Sequence, residues 1–226
     1  MNQNLQDTVS AASGAPLLRV LVLYGRLCSG KSTAALALAQ RLQESGMLCE
    51  GLFELSERGK GGIPYRLTML RFSDRVSIPL GERPPHRTDI PFVFNRQAFQ
   101  FAAETYSAFR GKVSELLQER DCKHGGDDTH RMTKTVLQHR GALFLDEIGQ
   151  LELRAKEGFL AVVQKALEDN HVLLVLTVRD QLLPALQDLL HGAGIPDASI
   201  EIHDVSDLRN GETFALLANR LATLAA

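Results

Sequence analysis

Hydrophobic residues fall into short continuous runs that alternate with stretches of helical periodicity along most of the chain. The runs cover residues 17–23, 48–55, 142–145 and 171–177. Their length and their content of leucine and β-branched residues predict strands buried on both faces of a sheet. Strands that alternate with helices in this way predict a three-layer α/β/α fold with a mostly parallel central sheet.

Apolar residues at helical spacing predict the helices between these strands. The longest predicted helix begins after Asn95, whose side chain suits the N-cap position. Its apolar residues recur at steps of three and four and are Phe99, Ala102, Tyr106, Phe109, Val113, Leu116 and Leu117. Such a stripe predicts a face packed on the core. Further helices are predicted over residues 31–43 and 159–167, after a cap at Asp180, and over about a dozen C-terminal residues.

A different pattern separates the second strand from the long helix. Segments 65–70, 76–80 and 91–94 are short, apolar and bordered by glycine and proline, which predicts a small antiparallel hairpin insert at the sheet edge. Residues 56–96 hold eight basic and four acidic side chains. Two interpretations stay open for this stretch: a solvated hairpin with scattered charges, or a lid that meets phosphates. Residues 121–130 are polar and contain glycine, which predicts a loop.

Composition favours one globular domain. The 226 residues are 44% hydrophobic and 23% charged, with a formal net charge of −2. Residues 1–16 predict a disordered tail, followed by one domain over residues 17–226. The odd number of cysteines, three, argues against a disulfide framework and favours the cytoplasm. No signal peptide and no membrane span is predicted.

One motif directly follows the first predicted strand and opens the first predicted helix. It fits G-x-x-x-x-G-K-[ST], the phosphate-binding loop, whose backbone N–H groups cradle phosphate oxygens. The residues assigned to nucleotide binding are Gly25, Arg26, Leu27, Cys28, Ser29, Gly30, Lys31, Ser32 and Thr33. Within this motif Lys31 is expected to reach the β and γ phosphates, and Ser32 to be a ligand of Mg²⁺.

Two adjacent carboxylates, Asp146 and Glu147, follow the apolar run at 142–145. Ligands of parallel sheets bind beyond the carboxyl ends of the strands, so this pair is expected to meet the phosphate-binding loop there. Asp146 is then a second Mg²⁺ ligand, and Glu147 polarises the attacking water. The alternative interpretation is an acidic start to a helix.

Residues 146–153, Asp-Glu-Ile-Gly-Gln-Leu-Glu-Leu, resemble the Asp-Glu-Ile-Gly-x-Met-Glu-Leu string of the small nucleoside triphosphatases related to the cancer-related nucleoside triphosphatase. Leu151 replaces the family's methionine, and Ser32 stands where the family usually has threonine. Residues 205–210 are similar to a family segment near the base. The resemblance implies hydrolysis of nucleoside triphosphates to diphosphates with Mg²⁺ and a loose preference for the base.

Arg179 follows the strand predicted at 171–177, so it is either a catalytic arginine that stabilises γ-phosphate charge or an ordinary surface residue. A Mg²⁺-dependent nucleoside triphosphatase is the favoured hypothesis. One alternative is a nucleoside or nucleotide kinase, because the same loop serves transferases. Another is a non-enzymatic nucleotide switch that docks a protein partner. Nucleic acid is not an expected partner, since no aromatic stacking platform accompanies the basic stretch.

Overall fold

The structure is a computed structural model that describes residues 18–85, 87, 89–123 and 139–224. The strands within these residues are β1 (Val20–Gly25), β2 (Leu48–Arg58), β3 (Pro64–Arg71), β4 (Ser77–Glu82), β5 (Val93–Phe94), β6 (Gly141–Ile148), β7 (Val172–Arg179) and β8 (Ile200–Asp204). The α-helices are α1 (Lys31–Glu44), α2 (Arg96–Lys123), α3 (Leu160–Glu168), α4 (Leu183–Gly192) and α5 (Gly211–Ala222). The predicted tail at residues 1–16 lies outside the described residues.

All eight strands form one sheet in the order β5-β4-β3-β2-β6-β7-β1-β8. β2, β6, β7, β1 and β8 are parallel to their neighbours in that order. β3, β4 and β5 pair antiparallel and extend the sheet beyond β2. The prediction of a mostly parallel sheet with a small antiparallel insert is therefore confirmed.

Helices cover both faces of this sheet. Side chains of α2, α3 and α4 pack in one hydrophobic cluster, and side chains of α1 and α5 pack in another. Alternate residues of the central strands serve the two clusters, as Leu143 and Phe144 of β6 show. Because successive strand residues point to opposite faces, continuous apolar runs are what a sheet covered twice requires. The predicted three-layer architecture is confirmed.

The long helix begins where its sequence predicts. The Oδ1 atom of Asn95 accepts a hydrogen bond of 3.0 Å from the Gln97 backbone N–H. The predicted stripe packs against the core over most of its length, except that Leu116 is 41% exposed. Within the described residues, no helix has the length and apolar character needed to cross a bilayer.

Two local predictions are wrong. Asp180 does not cap α4, because a 3₁₀ turn, Asp180–Leu182, comes first and α4 has no side-chain cap. The Asp180 carboxylate instead accepts from the Gln181 N–H. Residues 121–123, predicted to belong to a loop, are helical, since α2 continues to Lys123. The first glycine of that segment is at position 125, so nothing before it breaks the helix. The remainder, 124–130, lies outside the described residues.

Candidate active site

The phosphate-binding loop joins β1 to α1, as its motif demands. A Cβ atom on Gly25 would lie 2.7 Å from Ser29 Oγ and 2.9 Å from Val205 Cγ1, so only glycine fits. Gly30 has a φ of +95°, a left-handed conformation that favours glycine. α1 begins without a side-chain cap or an acidic residue in its first turn. Its N-terminal N–H groups are therefore available to an anion.

Side chains of the loop divide into exposed and inward-facing groups. Arg26, Leu27, Cys28 and Thr33 are exposed, and Ser29 and Ser32 are half-buried. Lys31 is 3% exposed. Its ammonium donates to the Arg26 carbonyl at 3.2 Å, which holds the cation inside the curl of the loop. The Ser29 hydroxyl is buried and has no hydrogen-bond partner among the described residues. A polar atom buried in this way is suited to a phosphate oxygen.

Asp146 lies buried at the carboxyl end of β6. Its Oδ1 accepts from the Thr177 hydroxyl at 2.6 Å, and its Oδ2 accepts from the Glu54 N–H at 3.1 Å. Ser32 also hydrogen-bonds this carboxylate. Burial raises the pKa of Asp146, and the hydrogen bonds from Thr177 and Ser32 act in the opposite direction. The two predicted Mg²⁺ ligands, Ser32 and Asp146, are therefore in direct contact.

Glu147 stands between two cations. Its Oε1 lies 3.3 Å from Lys31 Nζ, and its Oε2 accepts from Arg179 Nε at 3.3 Å. The backbone at Glu147 has a φ of +57°, which is strained for any residue except glycine. Its N–H donates to Thr177 Oγ1 at 2.8 Å. Backbone strain of this kind clusters at functional sites. The structure thus brings together the residues predicted from distant parts of the chain.

Thr177 occupies this centre because β7 lies between β1 and β6. Its hydroxyl donates to Asp146 and accepts from the Glu147 N–H, so one side chain orients both carboxylate residues. Thr177 belongs to no motif in the sequence. The one feature that could have revealed it is a single hydroxyl-bearing residue near the carboxyl end of the apolar strand β7.

Glu54 of β2 is a second residue that the sequence analysis missed. Burial is the main cause that raises the pKa of Glu54 to about 8, and the negative charges of Glu147 and Asp146 add to it. Residue 52 pairs with residue 145 across β2 and β6, so Glu54, two residues further on, lies beside Asp146 and Glu147. Only that register identifies Glu54 as part of the site.

Glu152 forms a clamp behind Glu147. Its carboxylate accepts from the Gly149 N–H at 2.9 Å and from the Phe159 N–H at 3.0 Å, and the side chain is buried. Between these amides the chain forms a π-helical turn, Leu151–Ala155. Gly158 approaches the carboxylate so closely that a Cβ there would overlap it. The clamp accounts for the glutamate in the string at 146–153.

Most of the basic stretch does not face the site. Arg66 pairs with Glu57, Arg71 with Asp74 and Arg87 with Asp89, all at the surface. Arg58 and Arg83 are different, because they line the cavity that opens at the phosphate-binding loop. The interpretation as a solvated hairpin therefore describes the three paired arginines.

A cavity of about 1120 Å³ opens at the phosphate-binding loop. The catalytic candidates Lys31, Glu147 and Arg179 line it. Among the described residues no cluster of three or more His, Cys, Asp or Glu residues is placed to hold a metal ion. Mg²⁺ binds through one or two protein ligands together with substrate phosphates and water. Ser32 and Asp146 fit that donor set when a triphosphate supplies the remaining oxygens.

Comparisons with known proteins agree with this architecture. The chain matches no protein-family model and no curated protein sequence. It is similar to a solved structure described as the solution structure of a human cancer-related nucleoside triphosphatase, with a TM-score of 0.57 and 15% sequence identity. The alignment covers 90% of this chain and 97% of that one. At this identity the likeness shows a shared fold.

Proposed function

We propose that this protein is a Mg²⁺-dependent nucleoside triphosphatase that hydrolyses nucleoside triphosphates to diphosphates and phosphate. The observation that carries the proposal is the 3.3 Å approach of Lys31 Nζ to Glu147 Oε1. It joins a phosphate-binding loop to an acidic strand end more than a hundred residues later. The solved structure with the same fold is described as a nucleoside triphosphatase.

Each residue has a role that its position supports. Lys31 and the loop N–H groups bind the β and γ phosphates. Ser32 and Asp146 would hold Mg²⁺, which would supply positive charge to the phosphates when bound. Arg179, 47% exposed and reaching Glu147, is free to turn towards the γ phosphate as negative charge moves during bond cleavage.

Glu147 is the proposed general base. Its carboxylate is 14% exposed and opens onto the cavity beside Lys31. A water held there loses its proton to Glu147 as its oxygen attacks the γ phosphorus, and the bond to the β,γ-bridging oxygen breaks. The strained backbone conformation and the hydrogen bond from the Glu147 N–H to Thr177 fix the backbone of Glu147, so its side chain starts from the edge of the cavity where the water is held.

The test measures phosphate release from ATP, GTP, CTP and UTP with Mg²⁺. Lys31→Ala is expected to lose most nucleotide affinity. Glu147→Gln is expected to bind nucleotide and to hydrolyse it at least about tenfold more slowly, the low end of general-base effects. Glu157→Gln is the matched control, because Glu157 is exposed and lies in the segment that follows β6. Normal hydrolysis by Glu147→Gln would contradict the assignment of the base, and tight binding without turnover by the wild type would favour a nucleotide switch.

The preference for the base is proposed to be loose, as the family resemblance implies. The same screen tests it, because similar kcat/KM values for the four nucleotides are expected. A difference of more than about a hundredfold, roughly 2.7 kcal/mol in transition-state binding, would contradict it.

A further inference from the structure

The central cavity extends well beyond the space that phosphates need. Part of its lining is apolar and consists of two leucines and four phenylalanines, which we name the aromatic compartment: Leu67, Leu80, Phe92, Phe94, Phe99 and Phe159. Ring centroids of Phe94 lie 6.2 Å from those of Phe92 and Phe99, and Phe99 meets Phe159 edge-on at 5.4 Å. The whole cavity, about 1120 Å³, exceeds the range of about 300–1000 Å³ typical of a site for one small molecule.

The aromatic compartment lies next to the carboxylates of the site. A second void, of about 10 Å³, is lined by Asp146 and Glu54 together with apolar residues that include Leu80 and Phe159. Glu54 and Phe159 line the main cavity as well. Apolar side chains of the compartment and carboxylates of the site therefore line the same small void.

In the binding mode of the proposed function, the nucleoside lies away from this compartment. With the γ phosphate near Glu147 of β6 and the other phosphates along the loop between β1 and α1, the nucleoside extends towards β1 and β8. The compartment is built from β3, β4, β5 and α2, which lie on the other side of β6. No described residue of β8, or of the segment 205–210, lines the cavity.

The charges around the compartment leave its interior apolar. The Cζ atom of Arg83 lies 4.5 Å from the centroid of the Phe92 ring, and its Nε donates to the Pro64 carbonyl. Both contacts hold the guanidinium against the lining of the cavity. Arg58 donates to the Gly62 carbonyl at the entrance. Leu67 and Leu80 are buried and offer no hydrogen bond. Such a lining suits an aromatic body and rejects a sugar, whose hydroxyls would lose their hydrogen bonds.

From this arrangement we propose that the aromatic compartment binds a second substrate, an alcohol with an aromatic body, which accepts the γ-phosphoryl group in place of water. The inference rests on the nucleotide site of the proposed function. The alcohol oxygen forms a bond to the γ phosphorus, and the bond from that phosphorus to the β,γ-bridging oxygen breaks. The hydroxyl proton passes to Glu147, and the products are a phosphate monoester and the nucleoside diphosphate.

The binding test uses 2-naphthylmethanol as the probe, the full-length chain with Mg²⁺ and ADP, and naphthyl fluorescence as the readout. Saturable binding is expected. Phe94→Asp places a carboxylate in the compartment and is expected to weaken probe binding at least about tenfold, more than the loss of one aromatic contact alone. Val93→Asp is the matched control, because Val93 is the neighbouring residue of β5, 72% exposed, and does not line the cavity. Circular dichroism melts verify that both variants fold.

The transfer test incubates the protein with γ-³²P-labelled ATP, Mg²⁺ and either 2-naphthylmethanol or glucose. Labelled naphthylmethyl phosphate, and no labelled glucose, is expected. Either of two binding results would overturn the inference: no binding of the probe, or an equal loss of binding in both variants. Either of two transfer results would also overturn it: a bound probe that gains no label, or equal transfer of label to glucose. Phosphate release without probe binding would overturn it and leave the proposed function intact. Probe binding in a chain that neither hydrolyses nor transfers phosphate would refute the proposed function as well.

Discussion

Gly158→Ala gives the sharpest test of the clamp that holds the loop after Glu147. Gly158 has a φ of +66°, and its added Cβ would overlap Glu152 Oε1 and lie 2.8 Å from Leu151 Cδ2. Glu152 cannot give way easily, because it is buried and its carboxylate is fixed by two amides. The substitution must therefore displace the carboxylate that orders this loop.

The expected cost of Gly158→Ala has two parts. A left-handed conformation costs an alanine roughly 1–2 kcal/mol. Displacing Glu152 breaks hydrogen bonds from the Gly149 and Phe159 N–H groups, and bonds to a charged group contribute about 1.5–3 kcal/mol each. We expect the free energy of unfolding to fall by at least about 4 kcal/mol, counting the conformation and both bonds at their lower values.

Gly194→Ala is the matched control for this substitution. Gly194 has a φ of +74°, and a Cβ there would have no atom within 4 Å. It therefore carries the conformational cost alone, about 1–2 kcal/mol. Urea unfolding measures both variants, and phosphate release measures the effect on the site, where only Gly158→Ala is expected to lower kcat. Equal destabilisation by the two variants would refute the role given to the clamp.

Three further substitutions test other parts of the site. Thr177→Val removes a hydrogen-bond donor to Asp146, and a bond to a charged group contributes about 1.5–3 kcal/mol. The Mg²⁺ concentration for half-maximal phosphate release is therefore expected to rise about tenfold. An unchanged concentration would contradict the role given to Thr177. Glu54 has its pKa raised to about 8, so the folded chain holds this proton more tightly than the unfolded chain, and stability falls as pH rises from about 4.5 to 8. Glu54→Gln is expected to remove that fall, seen as a smaller loss of urea midpoint between pH 5 and 8; parallel curves for the two proteins contradict it. Arg179→Lys keeps the positive charge and loses the planar guanidinium with its fixed set of N–H donors. The substitution is expected to lower kcat about tenfold with little change in KM, at the mild end of arginine contributions. An unchanged kcat would show that Arg179 is an ordinary surface residue.

The parts of the site that the sequence predicted are those encoded locally. The loop at 25–32 has its own strand and helix on either side, and Asp146 and Glu147 directly follow an apolar run within β6. Both motifs lie at the carboxyl ends of parallel strands, so their meeting follows from the fold class. The pattern of apolar runs predicted that class, since only a sheet covered on both faces requires them.

The residues that the sequence did not reveal depend on contacts between distant strands. Thr177 meets Asp146 because β7 inserts between β1 and β6, an order that no local pattern encodes. Glu54 depends on the register of β2 against β6. The helix start predicted at Asp180 was wrong because the Asp180 carboxylate accepts a hydrogen bond from the Gln181 N–H in a 3₁₀ turn. That local bond competes with the bond that a helix cap would make.

The insertion of β7 between β1 and β6 sets the distance across the site. Two strand spacings of about 4.8 Å each separate the strands that carry the loop and the carboxylates. The side chains of Lys31 and Glu147 bridge that separation together, since their charged atoms meet at 3.3 Å. Backbone hydrogen bonds hold the two spacings, and the leucines and valines of β7 point away from the plane of the sheet. Exchanges among those buried side chains are therefore expected to alter stability and to leave the distance between lysine and glutamate unchanged.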